Sequence, residues 1–284
     1  METKKNITTE ILLFVVILFA ACIFAVLAGT VFTAYFTSND DMTLLSIMSG
    51  AYTGTPDGHL IYIMYPLGYI FKSLYSLLPN ILWYELFTVF MHILCVTVCT
   101  YRLSFLLSGK RNLRILSMVL FFLLFETLDL KFSIENQYTT LSAVISATAV
   151  FLSALLFHSN KKTKRILQII VILILETVSL WIRKEAFFMS LPFLAVALLF
   201  SYCMDRLFAG SKEEKVIKPG FLFDYPVLLF SMLFMVSLSF VIEKNAYKDP
   251  AWETYKEFNR VRSNVFDYDL LPKYKDNVDF YESI

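Results

Sequence analysis

Two aspartates stand side by side in Thr37-Ser-Asn-Asp-Asp41, directly behind a long apolar run at 11–36. A carboxylate at a water–lipid boundary loses part of its hydration, and a neighbouring carboxylate adds repulsion. Both effects raise its pKa and suit it to taking a proton from a hydroxyl. Consecutive side chains on a helix diverge by about 100°, so only one of Asp40 and Asp41 can face a given site. A second polar group, Arg183-Lys184-Glu185, is squeezed between two apolar runs. Arg183 offers a planar, permanently charged fork suited to phosphate, Lys184 a point charge beside it, and Glu185 a carboxylate to orient the fork. His59 ends Pro56-Asp57-Gly58-His59, a turn sequence, and joins the phosphate-contact candidates beside its simpler reading as a turn residue. Each group also has a plain structural reading. Asn-Asp-Asp caps helices, and cations at helix ends reach towards lipid headgroups.

The elements that must position these residues are set by composition. Hydrophobic residues make up 57% of the chain, aromatic residues 17% and charged residues 17%, with a mean hydropathy of +0.63. Soluble domains carry about 25% charged residues. The excess of apolar surface makes lipid the solvent for most of this chain, and excludes a disordered protein, a basic nucleic-acid binder and a disulfide-stapled module. Cys22, Cys95, Cys99 and Cys203 all fall in apolar runs and read as small hydrophobes, with no metal-ligand spacing around them.

Apolar runs at 11–36, 81–107, 113–129, 139–157, 166–182, 187–204 and 222–243 predict seven membrane-spanning helices. The first is too long for the core of a signal peptide and is read as an uncleaved helix. The stretch 60–78 contains Pro66 and Gly68 in its middle and Tyr62, Tyr65, Tyr69 and Tyr75 along it. It is read as a broken, amphipathic pair of helices lying on the membrane surface. With that stretch not crossing, Lys4, Lys5, Arg102, Lys110, Arg111, Arg114, Lys161, Lys162, Lys164, Arg165, Arg206, Lys212, Lys215 and Lys218 fall on one side. Only Lys72, Lys131, Arg183 and Lys184 occupy the opposite short connectors. The bias places the amino terminus in the cytoplasm and the carboxyl terminus outside it. Asp40, Asp41, Arg183 and the polar tail at 249–262 then share the outer side. Glu85, Glu126 and Glu176 sit within apolar helices and read as helix-to-helix hydrogen-bonding groups, His92 as a hydrogen-bonded core residue.

Adjacent carboxylates after the first helix, a long outer loop with surface-lying helices and then a bundle of spans resemble the GT-C superfamily of membrane glycosyltransferases. The stretch 39–59 is similar to uncharacterised bacterial membrane proteins of that architecture, mostly from Firmicutes, as are Trp181-Ile-Arg-Lys-Glu185 and Trp252-x-x-Tyr255-x-x-Phe258-Asn259-x-x-Arg262. The resemblance implies an all-α, polytopic membrane helix bundle in a bacterial plasma membrane. It also implies transfer of a sugar from a polyprenyl-phosphate carrier to an acceptor on the extracytoplasmic face. Asp40 and Asp41 take the catalytic position, and Arg183, Lys184, Glu185 and His59 the substrate-phosphate position. The expected partners are a lipid-linked sugar donor and membrane lipids, not nucleic acid. No cofactor is required; some relatives use a divalent metal, but no ligand spacing here demands one. The transmembrane domain is expected over 1–243, with its first outer loop at 37–80, and an extracytoplasmic segment over 244–284. Members of this type are generally longer, so the chain reads as an amino-terminal portion of a longer protein or as a truncated gene product. The rival reading is a non-enzymatic polysaccharide or glycolipid export protein, flippase or accessory membrane protein.

Overall fold

The computed structural model describes residues 2–104, 111–158, 162–209 and 224–266. The connectors holding Lys110, Lys161, Lys212, Lys215 and Lys218, and the segment 267–284, lie outside the described residues. The architecture is helical: α1 Glu2–Val31, α2 Asn39–Ser49, α3 Tyr65–Leu77, α4 Trp83–Leu103, α5 Arg111–Ile134, α6 Tyr138–Ala154, α7 Lys162–Ile182, α8 Lys184–Ala209, α9 Asp224–Ala246 and α10 Pro250–Phe266. Five of these are long and apolar enough to cross a membrane: Thr9–Val31 within α1, then α4, α7, Lys184–Leu207 within α8, and α9. The apolar helix α6 has 17 residues and is shorter, while α5 carries Glu126 and Asp129 in its second half. The apolar run at 11–36 does not stay helical to its end. Tyr35–Phe36 (β1) pairs in parallel with Glu135–Asn136 (β2), which follows α5.

Side-chain contacts sort the helix ends into two groups. At one end, Lys164 of α7 pairs with Glu10 of α1 at 2.6 Å, and Arg102 of α4 donates to the Leu155 carbonyl after α6 at 2.8 Å. There too, Arg165 lies fully buried. Its Nε reaches Asp224 of α9 at 2.7 Å and its Nη2 reaches Asp205 of α8 at 2.8 Å. The sequence reading treats Arg165 as one cation of a solvated connector, but three helix ends converge on it, and burying a guanidinium requires paired carboxylates. At the opposite end, Phe36 stacks on Tyr84 of α4 at 5.8 Å, and Asp41 meets both Tyr84 and the first residue of α6. The chain therefore leaves α1 and re-enters at α4 on the same end, and the stretch 60–78 does not traverse the bundle.

That stretch differs in detail from the expected helix pair. Pro66 does not break a helix but opens α3, where the missing N–H costs nothing, and a single helix follows. Residues 57–60 press against it at one glycine pair. A Cβ on Gly68 would lie 2.2 Å from the Gly58 carbonyl oxygen, so the crossing exists only because both residues lack side chains. The far side of the loop is pinned by Met64 N–H, which donates to the Trp181 carbonyl at 2.7 Å.

In the core, α6 packs against α4, α7 and α8. Small hydroxyls mediate the α6–α7 contact: Ser146 Oγ lies 2.8 Å from Ser179 Oγ and 3.1 Å from Glu176 Oε2, which gives Glu176 the helix-to-helix role expected of it. The chain divides into two compact units, Met1–Ser239 and Phe240–Ile284. Within the second, Asp249 Oδ1 accepts from the Ala251 N–H at 2.9 Å and caps α10. Lys256 lies 3.6 Å over the Tyr247 ring there.

Gly68→Ala is expected to cost about 1–3 kcal/mol by overpacking, read as a lowered thermal unfolding midpoint in detergent. Gly29→Ala, where nothing lies within 4 Å, should leave the midpoint level or raised. Equal midpoints for the two variants would remove the close crossing.

Candidate functional site

The strand pair determines where the aspartates stand. Thr37 N–H donates to the Asn136 carbonyl at 3.1 Å, and this tether holds the start of α2 beside the junction of β2 and α6. Asp41 there is completely buried. Its Oδ1 accepts from the Tyr84 hydroxyl at 2.7 Å and from the Tyr138 N–H at 3.2 Å, and its Oδ2 accepts from the Ser38 hydroxyl at 2.8 Å. Tyr138 is the first residue of α6, whose N-cap Gln137 supplies no side-chain bond. Asp41 thus caps α6 from another helix, satisfying an orphan amide and facing the positive end of the dipole. Burial pushes its carboxyl above the usual range, against the hydrogen bonds from Tyr84, Ser38 and Tyr138. Asp40, one position earlier, stays partly exposed and acts electrostatically on the Tyr138 side chain.

Arg183 is the single residue between α7 and α8. Its N–H closes the last turn of α7 on the Ser179 carbonyl at 2.9 Å, and its carbonyl accepts the Phe187 N–H in the first turn of α8 at 3.1 Å. Its side chain is 24% exposed, with Nε 2.9 Å from Glu185 Oε2. Nη1 donates to the Tyr138 hydroxyl at 3.1 Å. The guanidinium carbon sits 5.2 Å from the Tyr62 ring centroid and 5.3 Å from that of Tyr138, and those two rings stack at 5.7 Å. The guanidinium is therefore held in one orientation, with the two stacked rings to the same side of it and its Nε edge on a carboxylate.

Tyr138 therefore joins the two clusters, its amide on Asp41 and its phenol on Arg183. The sequence reading passed over Tyr138 and Tyr84 and took Tyr62 only as a membrane-surface residue; the one signal for Tyr138 is an aromatic residue opening an apolar helix after a polar connector. Lys184 is 54% exposed, and Glu185 lies 3.8 Å from its ammonium. His59 is held elsewhere in the loop, its Nδ1 2.7 Å from Asp57 Oδ1 and its ring 4.8 Å from that of Tyr65. Burial works to raise the Asp57 carboxyl, but the His59 hydrogen bonds and charge outweigh it and hold the group below its usual range. Among the described residues, no cluster of three His, Cys, Asp or Glu side chains is placed to hold a metal ion.

The Asp41 shift has a defined sign. A carboxyl raised in the folded protein is most favourable there while protonated, so its contribution is full below the unfolded pKa and is lost as pH rises through the folded one. On acidification from pH 7 towards 4, the unfolding midpoint of the parent protein should rise relative to Asp41→Asn. A parallel pH dependence in the two proteins would dismiss the shift. Asp41→Ala, which strands three donors, should cost about 2–4 kcal/mol at pH 7.

No family model, no curated protein and no solved structure matches this chain.

Proposed function

We propose that the face carrying Asp40, Tyr138 and Arg183 binds the phosphate of a lipid-linked sugar and transfers the sugar to a hydroxyl acceptor, in the manner of the GT-C glycosyltransferases. The observation that carries this reading is Tyr138, which holds a carboxylate cluster and an oriented guanidinium within one residue's length of each other. Asp40, beside Asp41 in the chain, supplies the base for this reading, and Arg183 the phosphate fork.

In this reading α5 and α6 complete seven crossings, α2 and α3 lie at the outer surface, and the cation-rich end with Arg102, Lys164 and Arg165 faces the cytoplasm. The donor phosphate takes the Arg183 fork beside Tyr138 and Tyr62. Its carrier follows the groove of about 610 Å³ between α7 and α9, lined by Ile170, Ile174, Thr177, Trp181, Phe230 and Phe234. The α7 wall of that groove ends at Trp181, two residues before Arg183. Asp40 takes the proton of the acceptor hydroxyl as its oxygen attacks the anomeric carbon. The bond from that carbon to the phosphate oxygen breaks, and the electron pair leaves on the phosphate, where Arg183 offsets the charge. Asp41, with its oxygens engaged by three donors, positions Tyr138 and takes no part in proton transfer. The metal-free role set uses only these side chains.

The rival reading, a glycolipid export or accessory protein that binds without turnover, draws on one specific observation: Arg183 is already paired with Glu185, as a static binding residue would be. The two readings part in nanodiscs loaded with a polyprenyl-phosphate sugar. Arg183→Lys should weaken binding of polyprenyl phosphate about tenfold, through loss of the fork. Asp40→Asn should keep that binding while transfer falls roughly 10²- to 10⁴-fold. Undiminished transfer in Asp40→Asn would remove the base, and binding with no transfer by the parent protein would leave the export reading standing.

A further inference from the structure

Helix α10 leaves its apolar side chains open. Tyr255, Phe258 and Val261 are 40%, 62% and 50% exposed. At three-residue spacing they cover an arc of about 120° on the helix. Glu253, Lys256, Glu257 and Arg260 take the opposite arc, where Arg260 pairs with Glu257. Arg262 enters the apolar arc one turn past Phe258, its Nε and Nη2 both 3.2 Å from Asn259 Oδ1 on the flank. An arginine stem lies along apolar surface in this way while its charge stays at the polar level. Two acids against three bases leave the helix close to neutral, so apolar contact and not net charge decides what this face meets.

The end of α9 sets the level at which the face stands. That helix is long and apolar enough to cross a membrane, and Phe240, Val241 and Ile242 stay exposed up to the polar pair Glu243 and Lys244. Hydrocarbon covering α9 therefore ends near Ile242. Tyr247, whose N–H donates to the Glu243 carbonyl at 3.3 Å, stands about 7.5 Å further along at 1.5 Å per residue. One headgroup layer is roughly 5–8 Å deep. Helix α10 is fastened at this level: Trp252 packs edge-on against Tyr247 at 5.4 Å and Tyr255 at 5.9 Å, and Lys256 reaches back over the Tyr247 ring. Tryptophan and tyrosine favour the membrane–water boundary because one part of each ring system is apolar and another polar. We propose that α10 lies in the surface of the membrane that α9 crosses, with Tyr255, Phe258 and Val261 in the acyl boundary and Lys256 and Arg260 towards water. A nearly neutral helix needs no anionic lipid for this. The inference requires only that α9 crosses the membrane and stands apart from the sugar-transfer reading, since none of the residues assigned to that reading lies on α10.

Fluorine NMR of the full chain in phosphatidylcholine nanodiscs tests this, with 4-trifluoromethylphenylalanine placed at Phe258, at Tyr255 or at Glu257. The first two exchanges keep an aromatic ring on an exposed position, and all three leave the rest of the chain unchanged. Dissolved oxygen concentrates in hydrocarbon, whereas a gadolinium chelate stays in water. Oxygen is expected to relax the 255 and 258 signals at least about threefold more than the 257 signal, and the chelate to show the opposite order. Equal responses at 257 and 258, or a stronger chelate effect at 258, would place the face in water and overturn the proposal. A 258 signal shielded from both reagents would overturn it as well, because protein would then cover the face, either the segment 267–284 or a second copy of the chain.

Discussion

The Asp41 carboxylate is the fixed point of the Arg183 end of the bundle. It sits at the start of α2 and receives donors from α4, from α6 and from its own N-cap segment. In lipid-facing surroundings a buried carboxylate without donors is strongly unfavourable, and an uncapped helix start is too. The two deficits cancel here, because Asp41 supplies what the first amide of α6 lacks and that amide supplies what Asp41 lacks. Tyr84 repeats the arrangement at α4: its N–H is accepted by the Tyr75 hydroxyl of α3 at 3.1 Å while its own hydroxyl serves Asp41. The helices of the loop therefore act as caps for the helices of the bundle, and the loop cannot move without uncapping them.

That constraint extends to Arg183. Tyr138 is fixed at its amide by Asp41, so its ring and hydroxyl are presented to Arg183 in one position. Tyr62 stacks on the Tyr138 ring and lies beside it against the guanidinium. Arg183 itself is the one-residue hinge between α7 and α8, with both of its backbone groups committed to helix ends. A cation on a short, doubly hydrogen-bonded joint has little freedom. The opposite end follows the same logic with the signs exchanged, as fully buried Arg165 gathers Asp205 and Asp224 from two neighbouring helices.

The sequence was informative where a local rule applied. A run of apolar residues long enough to cross hydrocarbon announces itself, and the helices found follow those runs closely. The helical divergence of Asp40 and Asp41 also held, with one buried and the other partly exposed. Pro66 was misread because proline in the middle of a hydrophobic stretch and proline at a helix start look alike without the helix boundary. His59 and Lys184 joined the candidates by residue type, and the fold directs them to Asp57 and to Glu185. Tyr84 and Tyr138 went unnoticed for the converse reason: an aromatic residue among many aromatic residues carries no mark of the partner that its hydroxyl will find.

What the sequence determined alone is the kind of element: a chain this apolar satisfies its backbone within helices, and the lengths of its hydrophobic runs decide how many of them are candidates for spanning. What only the tertiary structure decided is which polar atoms face one another. Asp41, Tyr84 and Tyr138 are separated by tens of residues, as are Tyr62, Tyr138 and Arg183. Their meeting depends on helix ends being brought to the same level by packing along α6 and by the short β1–β2 tether. Hydropathy is a sum over neighbours in the chain, whereas a hydrogen bond depends on the direction between two atoms, and that direction exists only once the helices have packed.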